Sequence, residues 1–482
     1  MNAALVVIGG TFALAFGLGL RARRGKDMNL AQWAVGGRAF GAVLMFLLMA
    51  GEIYTTFTFL GASGWAYGRG APAFYILSYG ALAYITSYWI APAVWRYART
   101  HDLVSQPDFF VLKYQSRPFG TLVAIVGVVA MIPYLVLQLK GLGIIVSEAS
   151  YGAVSSTAAI WLGVAGVVAY VMVSGIHASA WTAVVKDILI LGVAIFLGLY
   201  LPNKLYGGIG PMFDRIEALR PGFLTLPATG QSASWFASTV LLTALGFYMW
   251  PHTFGSIYSA KSADAFRKNA IVMPLYQLVM LFIFFVGFAA LLAVPGLTGT
   301  DADLALLRIS VKTFDPWLVG VIGAAGVLTA LVPGSMILMA ASTVLAKNVV
   351  YPGVGADDPR IARLAKGLVP VVAVAALWFT FQGGNSIVAL LLMGYALVTQ
   401  LFPSLVCSLL PRNPLTTAGA MAGVVAGELT VAWITIGQVK VATLLPGAPS
   451  WIQDLNSGFV ALLVNLVISG VVSVLTRRRA PV

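Results

Sequence analysis

The sequence predicts an all-α polytopic membrane protein, and composition, hydropathy and local helix-breaking residues carry that prediction. Of the 482 residues, 60% are hydrophobic and 9% are charged, whereas soluble domains are about 45–50% apolar and about 25% charged. Mean hydropathy is +0.91. No soluble core can bury so much apolar surface, so the solvent around the protein is largely lipid. The single cysteine, Cys407, excludes an internal disulfide.

Hydropathy divides the chain into spans. A helix needs about 20 apolar residues to cross a bilayer, and with that window about thirteen runs can be placed. They lie near residues 3–21, 40–66, 72–98, 119–147, 155–175, 180–202, 234–255, 267–294, 316–346, 366–382, 385–408, 416–437 and 456–475. The first run has no basic segment before it and no clear cleavage site, so it is interpreted as a span rather than a signal peptide. We expect one membrane domain over residues 1–482.

Charge predicts the orientation of the spans. The net charge is +13, from 29 basic and 16 acidic residues, which fits cationic loops facing anionic lipid. No basic stripe carries interleaved aromatic residues, which argues against a nucleic-acid partner. An outside N-terminus and a cytoplasmic C-terminus place about 20 basic residues inside and about 7 outside. The inside group includes those in segments 21–26, 96–117, 261–268, 347–366, 412 and 477–479.

Ionisable side chains within spans are functional candidates, because each costs roughly 2.5–3.5 kcal/mol to insert. At membrane depth the sequence places Glu52, Lys140, Lys186, Asp187, His252 and Glu428. The alternative for each is a fixed pair or packing contact between helices, such as an ion pair of Glu52 with a lysine. Because adjacent residues on a helix point about 100° apart, Lys186 and Asp187 are expected to pair with other helices. Glu428 fits an oligomer contact or a lipid-protected pair.

The second and seventh runs carry helix-breaking residues near their middle. In the second, Gly51 precedes an acid, and Tyr54 and Thr55 follow it; small and hydroxylated residues let a helix unwind and expose its backbone. In the seventh, Gly246 adds freedom and Pro251 removes a backbone donor. The sequence therefore predicts two discontinuous helices, with a simple proline kink as the alternative for the seventh run.

Interruptions that lie five spans apart are typical of inverted-repeat transporters, whose substrate lies near the midplane between the broken helices. The predicted first repeat covers residues 40–202 and the second covers 234–408. The remaining helices, over residues 416–475, are predicted to be peripheral. Exposed helix N-termini at the breaks favour anionic groups.

Several short motifs in this order resemble the solute:sodium symporter family over nearly the whole chain. They are residues 33–38 (WAVGGR), the break around Gly51, residues 107–110 (PDFF) with Tyr114, residues 133–134 (PY), 138–141 (QLKG) and 250–253 (WPHT). The resemblance implies a LeuT-type five-plus-five fold and secondary active uptake of a solute. It implies a bacterial-type inner membrane, and no cofactor other than a coupling Na⁺ or H⁺.

Within that family the chain is most similar to the bacterial monocarboxylate permeases, in residues 51–55 (GEIYT), 184–190 (VVKDILI), 250–253 (WPHT) and 332–336 (VPGSM). That similarity implies a small organic anion such as lactate, pyruvate, propionate or acetate as the transported partner. The candidate substrate-binding residues are Gly51, Tyr54, Thr55, Lys140, Gly246, Trp250, Pro251 and His252. The other partner is membrane lipid.

The ninth span departs from the pattern of the sodium-coupled members. Their sodium site combines carbonyls of the broken second span with adjacent hydroxyl residues on the ninth, where this chain has Val332 and Pro333. Neither side chain supplies an oxygen. Thr329 and Ser335 lie nearby and rescue the site if the register shifts by a few residues. The Na⁺ site is therefore doubtful.

Lys186 offers a substitute for the missing cation. An ammonium can stand where sodium stood, and a buried lysine can release its proton during the cycle. Glu52, Lys186, Asp187, Thr329 and Ser335 are the candidate coupling or ion-site residues. We therefore expect symport of a short monocarboxylate with H⁺ rather than Na⁺.

Other functions are less well supported by the residues. The alternative within transport is a Na⁺-coupled symporter of another small solute, such as an amino acid or a sugar. An enzyme would need a nucleophile with a base or a metal cluster, and neither HExxH nor GxSxG occurs. A channel would show a repeated filter or charged rings. A transporter-like sensor would usually carry an added soluble domain, and none is expected here.

Overall fold

A computed structural model describes residues 2–477 of the chain, and within those residues the regular structure is entirely helical. Arg478 and Arg479, which the sequence assigns to the cytoplasmic charge cluster, lie outside the described residues. The α-helices, in chain order, are α1 Ala3–Arg23, α2 Leu30–Val35, α3 Ala42–Ile53, α4 Ala62–Arg69, α5 Tyr75–Thr100, α6 Gln106–Tyr114, α7 Arg117–Ala149, α8 Ser156–Tyr206, α9 Ile209–Leu219, α10 Ala233–Gly246, α11 Pro251–Ser259, α12 Asp264–Tyr276, α13 Met280–Ala293, α14 Ala305–Thr313, α15 Pro316–Val344, α16 Pro359–Gln382, α17 Ile387–Val398, α18 Phe402–Leu409, α19 Thr417–Ile436, α20 Val441–Leu444, α21 Ser450–Gln453 and α22 Ser457–Thr476.

Between residues 2 and 477, nine helices are long and apolar enough to cross a membrane, and eleven spans result if each of two bent pairs counts as one. One bent pair joins α3 to residues 57–69 at 51°, and the other joins residues 233–249 to α11 at 54°. Both bends fall in the runs that the sequence predicts to be discontinuous. Counting α5 as a span and α8 as two adds two to the eleven, which gives the predicted thirteen.

Helix α8 must be two spans, because its 51 residues would extend about 77 Å at 1.5 Å per residue, far beyond a bilayer core. The turn lies at Gly175, whose φ is 53° and ψ is −146°. A Cβ atom there would lie 2.4 Å from the carbonyl oxygen of Trp33. Only glycine fits this backbone conformation and this close approach. The predicted runs 155–175 and 180–202 therefore meet at Gly175.

Burial separates a central set of helices from a peripheral one. In the most apolar window of each helix, 94% of the residues are buried for α15 together with its π-helical end and 67% for α7, against 22% for α1 and 33% for α22. Helices α19 and α22 pack chiefly against each other. The centre of the bundle is therefore formed by α15, α7 and the two bent pairs, and these position the candidate site.

Candidate functional site

The first break lies between α3 and α4. Helix α3 continues through Gly51 and ends at Ile53, and the chain resumes as a π-helical turn over Phe57–Gly61. The predicted break around Gly51 is therefore confirmed, and its opening begins about three residues later, at Tyr54. Insertions of this π type are frequent at functional sites.

Two amides of this break are satisfied within the break itself. Thr55 N donates to the Thr58 hydroxyl at 3.0 Å, and Phe57 N donates to the Thr55 hydroxyl at 3.1 Å. The segment was predicted to offer amides to an anion. It instead offers carbonyl oxygens, which attract cations.

Lys186 lies against this carbonyl-rich segment. Its Nζ donates to the carbonyl oxygen of Tyr54 at 3.1 Å and lies 2.7 Å from Asp187 Oδ1. The side chains of Lys186 and Asp187 are 0% and 4% exposed. The expectation that these neighbours do not meet is wrong, because the flexible four-carbon stem of lysine curls back toward the adjacent carboxylate.

Three helices converge beside this ammonium. A Cβ atom at Gly51 would lie 3.6 Å from Lys186 Nζ and 3.5 Å from Val332 Cγ1 on α15. Val332 therefore faces the last turn of α3, about three residues before the first break begins. The two nearby hydroxyls make other contacts: Thr329 donates to Gly326 O, and Ser335 to Val332 O, both at 2.6 Å.

Glu52 connects the first break to the second. Its carboxylate accepts hydrogen bonds from the hydroxyls of Thr253, at 2.9 Å, and Ser256, both on α11. The Tyr134 hydroxyl on α7 donates to the Glu52 carbonyl oxygen at 3.1 Å. An ion pair between Glu52 and a lysine, the alternative raised above, is not formed, because Lys186 is engaged by Asp187 and by the broken backbone.

The second break lies between α10 and α11. Helix α10 ends at Gly246, a 3₁₀ turn covers Phe247–Met249, and Trp250 is extended with ψ 134°. Pro251 occupies the first turn of α11, where its missing N–H costs no hydrogen bond. Gly246 is needed for packing, since a Cβ atom there would lie 2.0 Å from the Thr399 hydroxyl.

Aromatic rings surround the second break. The Trp250 ring centroid lies 4.9 Å from that of Tyr134 and 5.3 Å from that of Tyr395. His252 packs edge-on to Tyr134 at 5.5 Å. In the part of the chain that the structure describes, buried Trp250 Nε1 and His252 Nδ1 have no hydrogen-bond partner. Buried polar atoms without a partner are unusual, which makes these two candidates for contact with a solute.

Two of the predicted ionisable candidates lie away from the breaks. Lys140 Nζ donates to Asn385 O at 2.7 Å and lies 4.0 Å from Asp303 Oδ2. Its side chain is 25% exposed, because it reaches the loop between α16 and α17. The Lys140 side chain is therefore directed to this loop rather than to the residues of the two breaks, since the position of a residue within an apolar run does not fix where its side chain reaches. Glu428 is on peripheral α19.

Two neutral amides at the breaks were missed. Gln138 accepts a 2.7 Å hydrogen bond from the Thr56 hydroxyl at its Oε1, and its buried Nε2 has no partner within residues 2–477. Gln277 follows α12 and is fully buried, and a Cβ atom at Gly80 would lie 2.4 Å from its Nε2. A search for charged residues passes over both. The signal for Gln138 was a polar residue within an apolar run and within a family motif.

The comparisons with known proteins agree with this architecture. The sodium:solute symporter family model matches residues 33–427. The uncharacterized symporter YhjB of Bacillus subtilis is 62% identical over 480 residues, covering 99% of this chain and 98% of that relative. The monocarboxylate transport permease protein of Rhizobium johnstonii is 30% identical over 471 residues, covering 94% and 92%.

Solved structures show the same fold at low sequence identity. A Na⁺-coupled sialic acid symporter in a substrate-bound, outward-open state matches with a TM-score of 0.81 at 15% identity, over 100% of both chains. Mhp1, a nucleobase-cation-symport-1 family transporter in a closed conformation, matches with a TM-score of 0.58 at 13% identity, over 90% of this chain and 92% of that one. The fold is therefore LeuT-like, and the neighbours are transporters rather than enzymes. This chain belongs to the sodium:solute symporter family.

Proposed function

We propose that this symporter imports a short monocarboxylate together with H⁺, and that Lys186 takes the place of a coupling sodium ion. The observation that carries the proposal is the position of the Lys186 ammonium, 3.1 Å from the carbonyl oxygen of Tyr54 in the unwound segment. A sodium ion would need oxygen ligands at this place. The valine side chain at position 332 supplies none, and the ammonium already satisfies the exposed carbonyl.

A lysine in this position can carry one proton per cycle. Facing outside, the protonated ammonium is held by Tyr54 O and Asp187. Facing the cytoplasm, it gives its proton to water and the neutral amine returns, so no sodium ion is required. The orientation in this proposal, with the N-terminus outside and the C-terminus in the cytoplasm, rests on the distribution of basic loops.

The substrate class rests on the second break and on a relative. Trp250 Nε1, a buried N–H donor without a partner within residues 2–477, lies at the first turn of α11, and helix N-termini favour anions. The permease that is 30% identical is named as a monocarboxylate transporter. Together these favour a small carboxylate over a sugar.

The test is uptake of labelled pyruvate into proteoliposomes, first with an inward proton gradient and no sodium, then with an inward sodium gradient at equal pH. We expect uptake with protons alone. Lys186→Met should lower it about 100-fold, since it removes a charge-assisted contact worth roughly 1.5–3 kcal/mol. Lys204→Met, at the exposed end of α8, is the matched control.

Each other outcome has a defined meaning. Uptake that requires sodium would overturn the proton-coupling proposal and favour a Na⁺ site elsewhere. Absence of pyruvate uptake under both gradients, with folded protein, would overturn the monocarboxylate proposal. Proton-driven uptake that survives in Lys186→Met would remove Lys186 from the coupling mechanism.

A further inference from the structure

The charged groups near the breaks are already engaged, which limits what can bind a carboxylate there. Lys186 pairs with Asp187 and with Tyr54 O. Glu52 is held by the hydroxyls of α11. Lys140 reaches away to Asn385 O. A substrate carboxylate between the breaks must therefore be met by neutral donors.

Gln138 has the geometry of such a donor. It is 1% exposed, and the Thr56 hydroxyl donates to its Oε1 at 2.7 Å. That bond fixes the amide oxygen as the end that meets the unwound segment, and within residues 2–477 it leaves the Nε2 group without a partner. Buried amides almost always find partners, so a buried NH₂ group without one points to a ligand.

The second donor is the indole nitrogen of Trp250, whose ring packs against Tyr134. Gln138 follows Tyr134 by one helical turn on α7, so both lie on one helix face. The Tyr134 ring packs against Trp250 at 4.9 Å between centroids, and Trp250 Nε1 is also buried without a partner within residues 2–477. Two N–H donors, one from each of these side chains, match in number the two oxygens of a carboxylate.

We infer that Gln138 Nε2 and Trp250 Nε1 bind the carboxylate of the transported solute, and that Thr56 is the positioning residue that orients the Gln138 amide. This inference rests on the proposed function and deepens it. Neutral donors hold the anion without a salt bridge, so that it can leave on the other side of the membrane.

The test measures KM and maximal rate of proton-driven pyruvate uptake in proteoliposomes. We expect Gln138→Leu to raise KM about tenfold, because one hydrogen bond to a charged group is lost. Gln138→Glu should raise it about a hundredfold, because a carboxylate then faces a carboxylate. Gln382→Glu, at an exposed site, is the matched control for the added charge. Methyl pyruvate, which lacks the free carboxylate, should compete poorly with pyruvate in the wild type. Its inhibition constant should be the same in Gln138→Leu as in the wild type, because the ester does not use the Gln138 amide.

Thr56→Val keeps the shape of its side chain and removes the orienting bond, and it should raise KM about threefold to tenfold. If Gln138→Leu does not purify as a folded protein, the KM of Thr56→Val tests the role of the Gln138 amide in its place. Unchanged KM in folded Gln138→Leu, or in Thr56→Val when only that variant folds, would overturn the inference while the proposed function stands. A wild type that takes up no pyruvate would overturn the proposed function and the carboxylate role together.

Discussion

The two interrupted helices differ in which backbone group is left without a partner inside the helix. At the first break, the hydroxyls of Thr55 and Thr58 satisfy the amides, and the carbonyl of Tyr54 faces the Lys186 ammonium. At the second break, α11 begins at Pro251, so the amides of its first turn have no acceptor within the helix. One break is thus suited to a cation and the other to an anion.

Glu52 joins these two unlike breaks. Its backbone belongs to the last turn of α3, and its carboxylate accepts from Thr253 and Ser256 on α11. The contact therefore ties the end of α3 directly to α11. Helix interruption thus sets the depth of a site, whereas local capping sets the sign of the charge it attracts.

The largest effect is expected from replacing the Lys186 ammonium with oxygen ligands that can bind sodium. In Lys186→Ala combined with Val332→Ser and Pro333→Thr, hydroxyl oxygens replace the ammonium beside the Tyr54 carbonyl, and oxygen ligands suit sodium. We expect uptake to change from proton-driven to sodium-stimulated, measured with each gradient at equal pH. The single variant Lys186→Ala is the control and should respond to neither gradient. Proton-driven uptake retained by the triple variant would contradict the account of the first break.

A smaller effect is expected from removing the hydrogen bonds of Glu52 that join the two breaks. Glu52→Ala removes a carboxylate that accepts two hydroxyl hydrogen bonds, which should cost roughly 3–6 kcal/mol at about 1.5–3 kcal/mol for each bond to a charged group. Thermal unfolding in detergent, followed by tryptophan fluorescence, measures the loss. Thr253→Val removes one of the two bonds and should cost about half as much. Equal stability of Glu52→Ala and the wild type would show that the contact does not hold the helices together.

The smallest effect on transport is expected at the polar cluster of Lys140. Lys140→Met should leave the KM for pyruvate within about twofold of the wild type, because its partly exposed ion pair with Asp303 is of the kind worth about 0–1 kcal/mol. Initial-rate uptake over a range of pyruvate concentrations is the measurement. A tenfold rise in KM would return Lys140 to the substrate site.

Asp303, which lies 4.0 Å from Lys140 Nζ, makes the stability of the folded protein depend on pH. Burial raises the pKa of Asp303, in the loop before α14, to about 6 from 3.8. The folded protein therefore binds the Asp303 proton more tightly than the unfolded chain does. This tighter binding adds at most about 3 kcal/mol to the free energy of unfolding. The added stability is present below pH ~4 and is lost as pH rises through ~6. Asp303→Asn keeps an acceptor for Ile387 N, which donates to Asp303 Oδ2 at 3.0 Å. Its melting temperature should equal that of the wild type at low pH and exceed it at pH ~8.

Hydropathy was sufficient to place the spans, because the bilayer imposes one length and one polarity on every crossing helix. Glycine and proline located both interruptions to within a few residues, since those residue types remove helix hydrogen bonds or steric restraint. The turn within α8 at Gly175 could be placed from the sequence as the junction of two apolar runs. Only its backbone geometry required the three-dimensional structure.

The side-chain partners could not be predicted in the same way. The contact of Lys186 with Asp187 depends on side-chain torsions that a helical wheel does not contain. Lys140 reaches a distant loop, and no property of its own run reveals that loop. Gln138 escaped because it is uncharged, although its unsatisfied amide is visible once Thr56 is placed beside it.

The most direct test of the central claim is proton movement that accompanies the solute. Proteoliposomes with wild-type protein, a pH-sensitive dye inside and no sodium on either side are mixed with pyruvate outside, at equal pH and with the membrane potential clamped to zero. The account predicts acidification of the interior that depends on pyruvate, is saturable, and is absent in Lys186→Met. Pyruvate entry without acidification in the wild type, or equal acidification in Lys186→Met, would contradict it.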